Sequence, residues 1–249
     1  MKSWSFILLL LFIIATVSAQ DAAAVIKEAA RLENTLNEKA ALEKYKEALK
    51  LHPSNITALN KCSELCSRIG KRNPDSKIRT SYYQYAKNYA AAALKINPNN
   101  ADANCAMAII LGSIALTGSS KEKVTAAKEI KKYVDIALKN DPLNYKAWHV
   151  LGRWHFELSD LNVFERAAVK IMFGGLPHST VPESIRAFEK AGSIKSFAAN
   201  YMELAKAYKK NNQQDKAIAA INALLNFPNQ TEDDEALKTM GKILLKQWQ

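Results

Sequence analysis

Residues 148–191 read WHVLGRWHFELSDLNVFERAAVKIMFGGLPHSTVPESIRAFEKA, and they carry the clearest signal for the architecture of this chain. Gly152 has no side chain, so a second helix can approach closely at this position, while Trp148 and Leu151 fill the space beside it. Phe188 and Ala191 lie on the facing helix, at the spacing of an inward stripe. We therefore predict a packed helix pair whose core residues are chosen for size rather than reactivity.

The same kind of second-helix ending recurs three times before this stretch. The residues of these endings are Ala41, Tyr45, Ala48 and Pro53; Ala86, Ala90, Ala93 and Pro98; and Ile130, Val134, Ala137 and Pro142. The prolines lie 45 and 44 residues apart in the similar peptides LKLHPSN, LKINPNN and LKNDPLN. Trp-x2-Leu-Gly openings and Ala-x3-aromatic-x2-Ala-x4-Pro endings are typical of tetratricopeptide (TPR) repeats, whose standard length is about 34 residues. The sequence therefore predicts an all-α, TPR-like α-solenoid, a right-handed superhelix of helix pairs.

The predicted TPR-like domain covers residues 20–249. Its five repeats and its carboxy-terminal capping helix are predicted at 22–54, 55–99, 100–143, 144–197, 198–231 and 232–249. The fourth repeat carries the largest insertion, in which Phe164, Ala168 and Ile171 recur at helical spacing before Gly174 and Gly175. This pattern predicts an extra helix inside the repeat.

The amino terminus predicts a different element. Residues 1–19 combine Lys2, an apolar run from Ile7 and small residues at Val17 and Ala19, which is the pattern of a signal peptide. A membrane anchor is the alternative, and either reading predicts that the remaining chain lies outside the cytosol. Asn55 and Asn229 begin glycosylation sequons, which fit a lumenal chain.

The cysteine content favours the cytosol instead. Cys62, Cys66 and Cys105 are odd in number and occupy core-type helical positions, which is more typical of reduced thiols than of a disulfide framework. Localisation therefore stays open at this point, between the secretory pathway or a membrane and the cytoplasm.

The formal net charge of +11 predicts an acidic partner, such as anionic lipid headgroups or an acidic protein surface. One dense group of cations surrounds a turn signal at Asn73-Pro74-Asp75 in the second repeat. Its members are Arg68, Lys71, Arg72, Lys77 and Arg79. A solvated helix face is the alternative reading of this group. Because exposed aromatic residues do not alternate with the positive charges, we do not expect a nucleic-acid partner.

No catalytic or metal-binding pattern is present in the sequence. The four histidines are dispersed, and no further Cys-x2-Cys or paired histidine completes a zinc site with Cys62 and Cys66. We therefore predict a non-enzymatic protein without a cofactor or a metal.

The fourth repeat also resembles a specific family. The segments LGRWHFE at 151–157, FERAA at 164–168, FGGLP at 173–177 and TVPESIRAFEKA at 180–191 are similar to the signature of the regulator of microtubule dynamics family. This resemblance implies a TPR-like domain that associates with microtubules and the spindle, and hence a cytoplasmic or cytoskeletal location. Some relatives are anchored at membranes, and those at organelle contact sites look like lipid-binding and tethering proteins.

Two alternatives to a microtubule regulator therefore stay open. A lipid-binding or tethering module would need an apolar groove, for which the candidate lining residues are Phe164, Ile171, Met172 and Phe173, although helix–helix core is the more common role of such a stripe. A peptide-binding adaptor would instead use the concave face of the array.

Overall fold

The computed structural model describes residues 21–116 and 118–248, and these residues form helices and connecting turns without a β-strand. The signal peptide or anchor predicted for residues 1–19 lies outside the described residues. The helices are α1 (21–34), α2 (Glu38–Leu51), α3 (Ile56–Arg72), α4 (Ser76–Ile96), α5 (Ala101–Ala115), α6 (Ser120–Asn140), α7 (Tyr145–Leu158), α8 (Val163–Phe173), α9 (Val181–Ile194), α10 (Ala198–Lys210), α11 (Gln214–Asn226) and α12 (Asp234–Trp248).

The recurring Pro-x-Asn peptides explain where three of these helices begin. In each peptide the asparagine is the N-cap of the next helix, and its side chain accepts a hydrogen bond from the backbone amide three residues later. The three bonds join Ala58 to Asn55, Ala103 to Asn100 and Ala147 to Asn144, at 2.9, 2.9 and 3.0 Å. All three alanines are fully buried, so the same short peptide both starts a helix and sets its inward face.

The chain divides into two compact units, with the boundary between Ile96 and Asn97. The first unit contains α1 to α4, and the second contains α5 to α12. Each predicted repeat interval contains one helix pair, and the fourth, formed by α7 and α9, also contains α8. The predictions of an all-α fold and of an extra helix in the fourth repeat are confirmed.

The core of the second unit is continuous from the fourth repeat to the carboxy-terminal helix. Phe188, Met202, Ile221 and Leu224 are buried in one cluster. The apolar face of α12 packs against this cluster through Leu237, Leu244, Leu245 and Trp248. The last helix therefore covers the exposed end of the fifth pair, as the repeat architecture requires.

Within the described ranges, 21–116 and 118–248, no helix is both long enough and apolar enough to cross a bilayer.

Candidate functional site

The five cations predicted as an acidic-partner patch have two different environments. Arg68 lies among three carboxylates: its Nη2, Nε and Nη1 atoms are 3.1 Å from Glu33, 3.2 Å from Glu38 and 3.1 Å from Glu64. Burial alone would lower the pKa of Arg68, but these carboxylates outweigh it and raise the pKa. The guanidinium is therefore held as a cation inside the unit rather than presented at its surface.

Arg72 belongs to the same network. Its Nη2 atom lies 2.6 Å from Glu38, whose side chain is only 1% exposed. Glu33 also accepts hydrogen bonds from Lys61 at 3.0 Å and from the hydroxyl of Tyr45 at 3.3 Å. Sequence reasoning missed these carboxylates because they lie about 30 residues away on α1 and α2, and no local pattern pairs them with α3.

The remaining members of the patch lie on the turn between α3 and α4. Lys71 and Lys77 are exposed, and no carboxylate is within ion-pair distance of either in the part of the chain that the structure describes. Arg79 is partly buried and donates a hydrogen bond from Nη1 to the carbonyl of Asn73, at 3.1 Å. Surface charge from the predicted patch therefore comes mainly from Lys71 and Lys77, and its role toward a partner stays a prediction.

A second set of cations lies on α6 in the other unit. The helix begins with a capping box between Ser119 and Glu122. Lys131 pairs with Asp135 at 2.8 Å, whereas Lys128 donates a hydrogen bond to the carbonyl of Phe173 at the end of α8. An ammonium group of α6 is thus fixed beside the inserted helix.

The fourth-repeat signature packs tightly at its centre. A Cβ atom built on Gly152 would lie 2.6 Å from the ring of Phe188, and Phe188 and Ala191 are fully buried. Trp154, which sequence reasoning did not select, is also buried, and its indole donates a hydrogen bond to the carbonyl of Ala127 at 2.8 Å. Its spacing from Ala147 and Val150 was an available signal, because residues separated by three, four and seven positions lie on one face of a helix.

Trp148 and Leu151 are only partly buried, in contrast to the filling role expected for them. They line an open pocket of about 390 Å³ between α7 and α9. The other lining residues are His155, Glu183, Arg186, Ala187 and Lys190. The indole of Trp148 donates a hydrogen bond to the carbonyl of Pro142 at 2.9 Å, which fixes the ring at the rim.

The ionisable groups of this pocket do not form a nucleophile–base arrangement. The Nδ1 atom of His155 lies 3.5 Å from a carboxylate oxygen of Glu183, and burial lowers the pKa of His155 despite that charge. Glu183 is held by the hydroxyl of Thr180 at 2.9 Å. An aromatic wall with the cations Arg186 and Lys190 at its edge is suited to binding an acidic group.

The inserted helix α8 differs from the lipid groove predicted around it. Phe164, Ile171 and Met172 are 85%, 85% and 68% exposed, and Val163 is 80% exposed. Phe173 is partly buried. Phe164, Ile171 and Met172 therefore form an outward face rather than the lining of a groove, because no described element packs over the apolar side of α8.

The cysteines have the environment of inert thiols. Cys62, Cys66 and Cys105 are buried and unbridged. Burial raises the pKa of Cys62 to about 12 and that of Cys66 to about 11, which suppresses the reactive thiolate at neutral pH. No cluster of three or more metal-ligating side chains occurs among the described residues.

The two sequons are placed differently. The side chain of Asn55 is occupied as the N-cap of α3, whereas Asn229 lies exposed in the loop before α12 and donates a hydrogen bond to Glu235 at 3.2 Å. Glycosylation of either asparagine stays a prediction.

Comparisons with known proteins place this helix array in a family. The family model described as Regulator of microtubule dynamics protein 1-3 matches residues 25–249. The chain belongs to this family. The resemblance seen in the fourth-repeat segments is therefore confirmed, and it extends across all five helix pairs.

Two relatives in the regulator of microtubule dynamics family share 25% and 30% sequence identity with this chain. Regulator of microtubule dynamics protein 1 of Mus musculus is 25% identical over 189 residues, which cover 75% of this chain and 61% of the relative. Protein 2 of Homo sapiens is 30% identical over 173 residues, covering 68% of this chain and 42% of the relative. The match thus spans between about two fifths and three fifths of these two relatives.

Similarity to solved structures supports the fold of this chain but says nothing about its function. A thermophilic TPR protein of Thermus thermophilus superimposes with a TM-score of 0.65 at 14% identity, covering 90% of this chain and 99% of that protein. The PilF protein of Pseudomonas aeruginosa superimposes with a TM-score of 0.55 at 13% identity, covering 92% of each chain. The TPR-like α-solenoid fold predicted from the sequence is confirmed.

Proposed function

We propose that this member of the family is a non-enzymatic, microtubule-associated regulator that acts at the spindle. The observation that carries the proposal is the family match over residues 25–249, which includes every helix pair. The relatives are named as regulators of microtubule dynamics. A TPR-like scaffold suits such a role because it acts by presenting a rigid binding surface.

The surface charge supplies a physical route to the microtubule. The tubulin surface is acidic, so binding requires cations that are not already neutralised within the protein. Lys71 and Lys77 meet this requirement, whereas Arg68 and Arg72 are committed to Glu33, Glu38 and Glu64. We therefore assign the contact to the α3–α4 turn, with the two arginines holding the turn in place from inside.

Co-sedimentation with purified microtubules tests this assignment. We expect the double variant Lys71→Glu/Lys77→Glu to bind at least about ten-fold more weakly at low salt, because each change replaces an attraction with a repulsion. The matched control is Lys242→Glu/Lys246→Glu on α12, which changes the net charge equally at two other exposed lysines.

Three results would be informative. Loss of binding only in the α3–α4 variant supports the assigned surface. Equal loss in both variants would show that net charge alone drives binding. Unchanged binding in both, or no binding by the unaltered chain, would contradict the proposal.

A peptide-binding adaptor is the second function with a specific observation in its favour. The pocket between α7 and α9 presents Arg186 and Lys190 beside the ring of Trp148, which suits an acidic side chain next to an apolar one. Titration with a fluorescent oligoglutamate peptide tests it, and Arg186→Glu/Lys190→Glu should abolish any saturable binding. Saturable binding that survives this change would place the peptide elsewhere.

A further inference from the structure

The exposed apolar face of α8 has no role in the microtubule proposal. Four large apolar side chains, Val163, Phe164, Ile171 and Met172, point away from the second unit on a helix with no buried residue. We propose that α8 is a peripheral membrane-docking helix, whose apolar face inserts at the surface of a bilayer that contains anionic phospholipids. This inference rests on α8 and its surroundings and does not depend on microtubule binding.

The helix is formed before it meets a membrane. Its amino terminus has a capping box in which Asn162 and Glu165 satisfy each other's backbone amides, at 2.9 and 2.8 Å. Its carboxy terminus ends at Gly174 in the left-handed conformation, with φ of 73°. Docking therefore does not have to supply the free energy that nucleates a helix, which is the largest cost for a short free peptide.

The helix is also fixed in orientation. Arg166 reaches inward from the side opposite Phe164 and donates hydrogen bonds to the carbonyls of Leu158 at 2.6 Å and Leu161 at 3.2 Å. The same guanidinium lies 3.4 Å from the hydroxyl and the carbonyl of Ser179. These contacts hold the polar side of α8 against the chain and leave the apolar side directed outward.

The apolar residues form a stripe along the helix. Phe164, Ala168 and Ile171 recur at spacings of four and three residues, which places them on one face. Val163 and Met172 flank this stripe at its two ends. A preformed helix that exposes an aromatic and aliphatic face to solvent is typical of segments that lie in the plane of a membrane interface.

The charges beside the stripe favour an anionic surface. Lys170 is exposed on α8, and the ammonium group of Lys128 lies at the last carbonyl of the helix. Lys121 is two helical turns from Lys128 on the same side of α6. Glu165 contributes one negative charge to α8, against the positive charges of Arg166 and Lys170 on the same helix and of Lys128 at its end, so the balance along this edge is positive.

The shape and size of the face favour a bilayer over a protein. Four exposed side chains on one helix offer a few hundred Å² of apolar surface, whereas a stable protein interface needs about 800 Å² from each partner. The exposed side of α8 is the convex surface of a single helix. A bilayer accepts such a surface without shape complementarity, whereas a protein partner or a second copy would have to supply a groove.

Hydrogen–deuterium exchange of the full chain reports membrane contact at α8 separately from contact at any other segment. The probes are phosphatidylcholine vesicles with about one third phosphatidylserine, and vesicles of phosphatidylcholine alone. We expect exchange in residues 163–173 to slow at least about five-fold with the anionic vesicles and to change little with the neutral ones.

Two double variants make the test specific. In Phe164→Glu/Ile171→Glu the slowing should disappear, and because both side chains are 85% exposed the fold is retained. In Leu116→Glu/Leu143→Glu, where both side chains are 66% exposed in the same unit, the slowing should persist. A third variant, Lys170→Gln, should weaken anionic-vesicle binding by about five-fold, the contribution of one lysine near such a surface.

Several results would overturn the inference. Exchange in α8 that is unaffected by anionic vesicles would exclude membrane docking, even if the chain sediments with vesicles through another segment. Slow exchange without vesicles that depends on protein concentration would identify a second copy as the occupant. Equal slowing in the wild-type chain and in the Phe164→Glu/Ile171→Glu variant would show that the apolar face is not the contact.

Discussion

The fourth repeat contains a tightly packed helix–helix contact next to a helix whose apolar face is exposed. At the α7–α9 contact the ring of Phe188 fits against Gly152, with no room for a single added carbon. A few residues away, α8 presents Phe164 and Ile171 almost fully to solvent. Both regions are rich in apolar residues with helical periodicity.

The difference shows that an apolar helical stripe does not by itself indicate burial. Phe188 is buried because glycine and alanine positions on the facing helices bring a partner close to it. The stripe of α8 has no such partner, because Arg166 binds the connecting segments and turns the polar side of the helix inward.

Truncation of the two phenylalanines should separate the regions most clearly. We expect Phe188→Ala to lower the free energy of unfolding by about 3 to 5 kcal/mol, through lost burial and the cavity left behind. The matched change Phe164→Ala should alter it by less than about 0.5 kcal/mol, because that side chain is already exposed. Urea titration followed by circular dichroism measures both, and similar losses in the two variants would contradict the assigned packing.

A second comparison, within the first unit, is between the buried ion pairs of Arg68 and an exposed ion pair. Replacing Arg68 with methionine keeps a flexible, unbranched side chain but removes the guanidinium, so the carboxylates of Glu33 and of the buried Glu38 lose that partner. We expect a loss of about 3 kcal/mol. Arg31→Met removes an exposed pair with Glu28 and should leave the urea midpoint almost unchanged. A small effect at Arg68 would mean that the network contributes little to stability.

The smallest effect should be on how the free energy of unfolding depends on pH, through His155 in the pocket between α7 and α9. Burial lowers the pKa of His155 below its usual 6.5, against the charge of Glu183 and together with Lys131, Arg186 and His178. The unfolded chain then binds this proton more readily, so the stabilisation is complete above about pH 6.5 and is lost as the pH falls through the lowered pKa.

The variant His155→Phe removes this titration while keeping an aromatic ring in the pocket. Urea midpoints between about pH 7.5 and pH 5 should therefore fall less steeply for the variant than for the unaltered chain. Parallel curves would show that His155 is not the group responsible.

Much of the fold follows from short-range patterns in the sequence. The Pro-x-Asn peptides set three helix starts, the small residues at Gly152 and Ala191 mark a close contact, and Gly174 ends the inserted helix. The surfaces could not be predicted in the same way. Arg68 pairs with Glu33 and Glu38, which are distant from it in the sequence, and no local pattern reveals such a pairing. The apolar face of α8 is exposed because no described helix packs over it, and its apolar spacing alone does not show this.

The most direct test of the proposed function is a microtubule growth assay with purified tubulin and the full chain, imaged one filament at a time. We expect the unaltered chain to change the growth rate or the catastrophe frequency in proportion to its concentration. We expect Lys71→Glu/Lys77→Glu to lose this effect and Lys242→Glu/Lys246→Glu to retain it. Unchanged dynamics at concentrations that saturate the filaments, or equal activity in all three proteins, would rule out the proposed function at the α3–α4 turn.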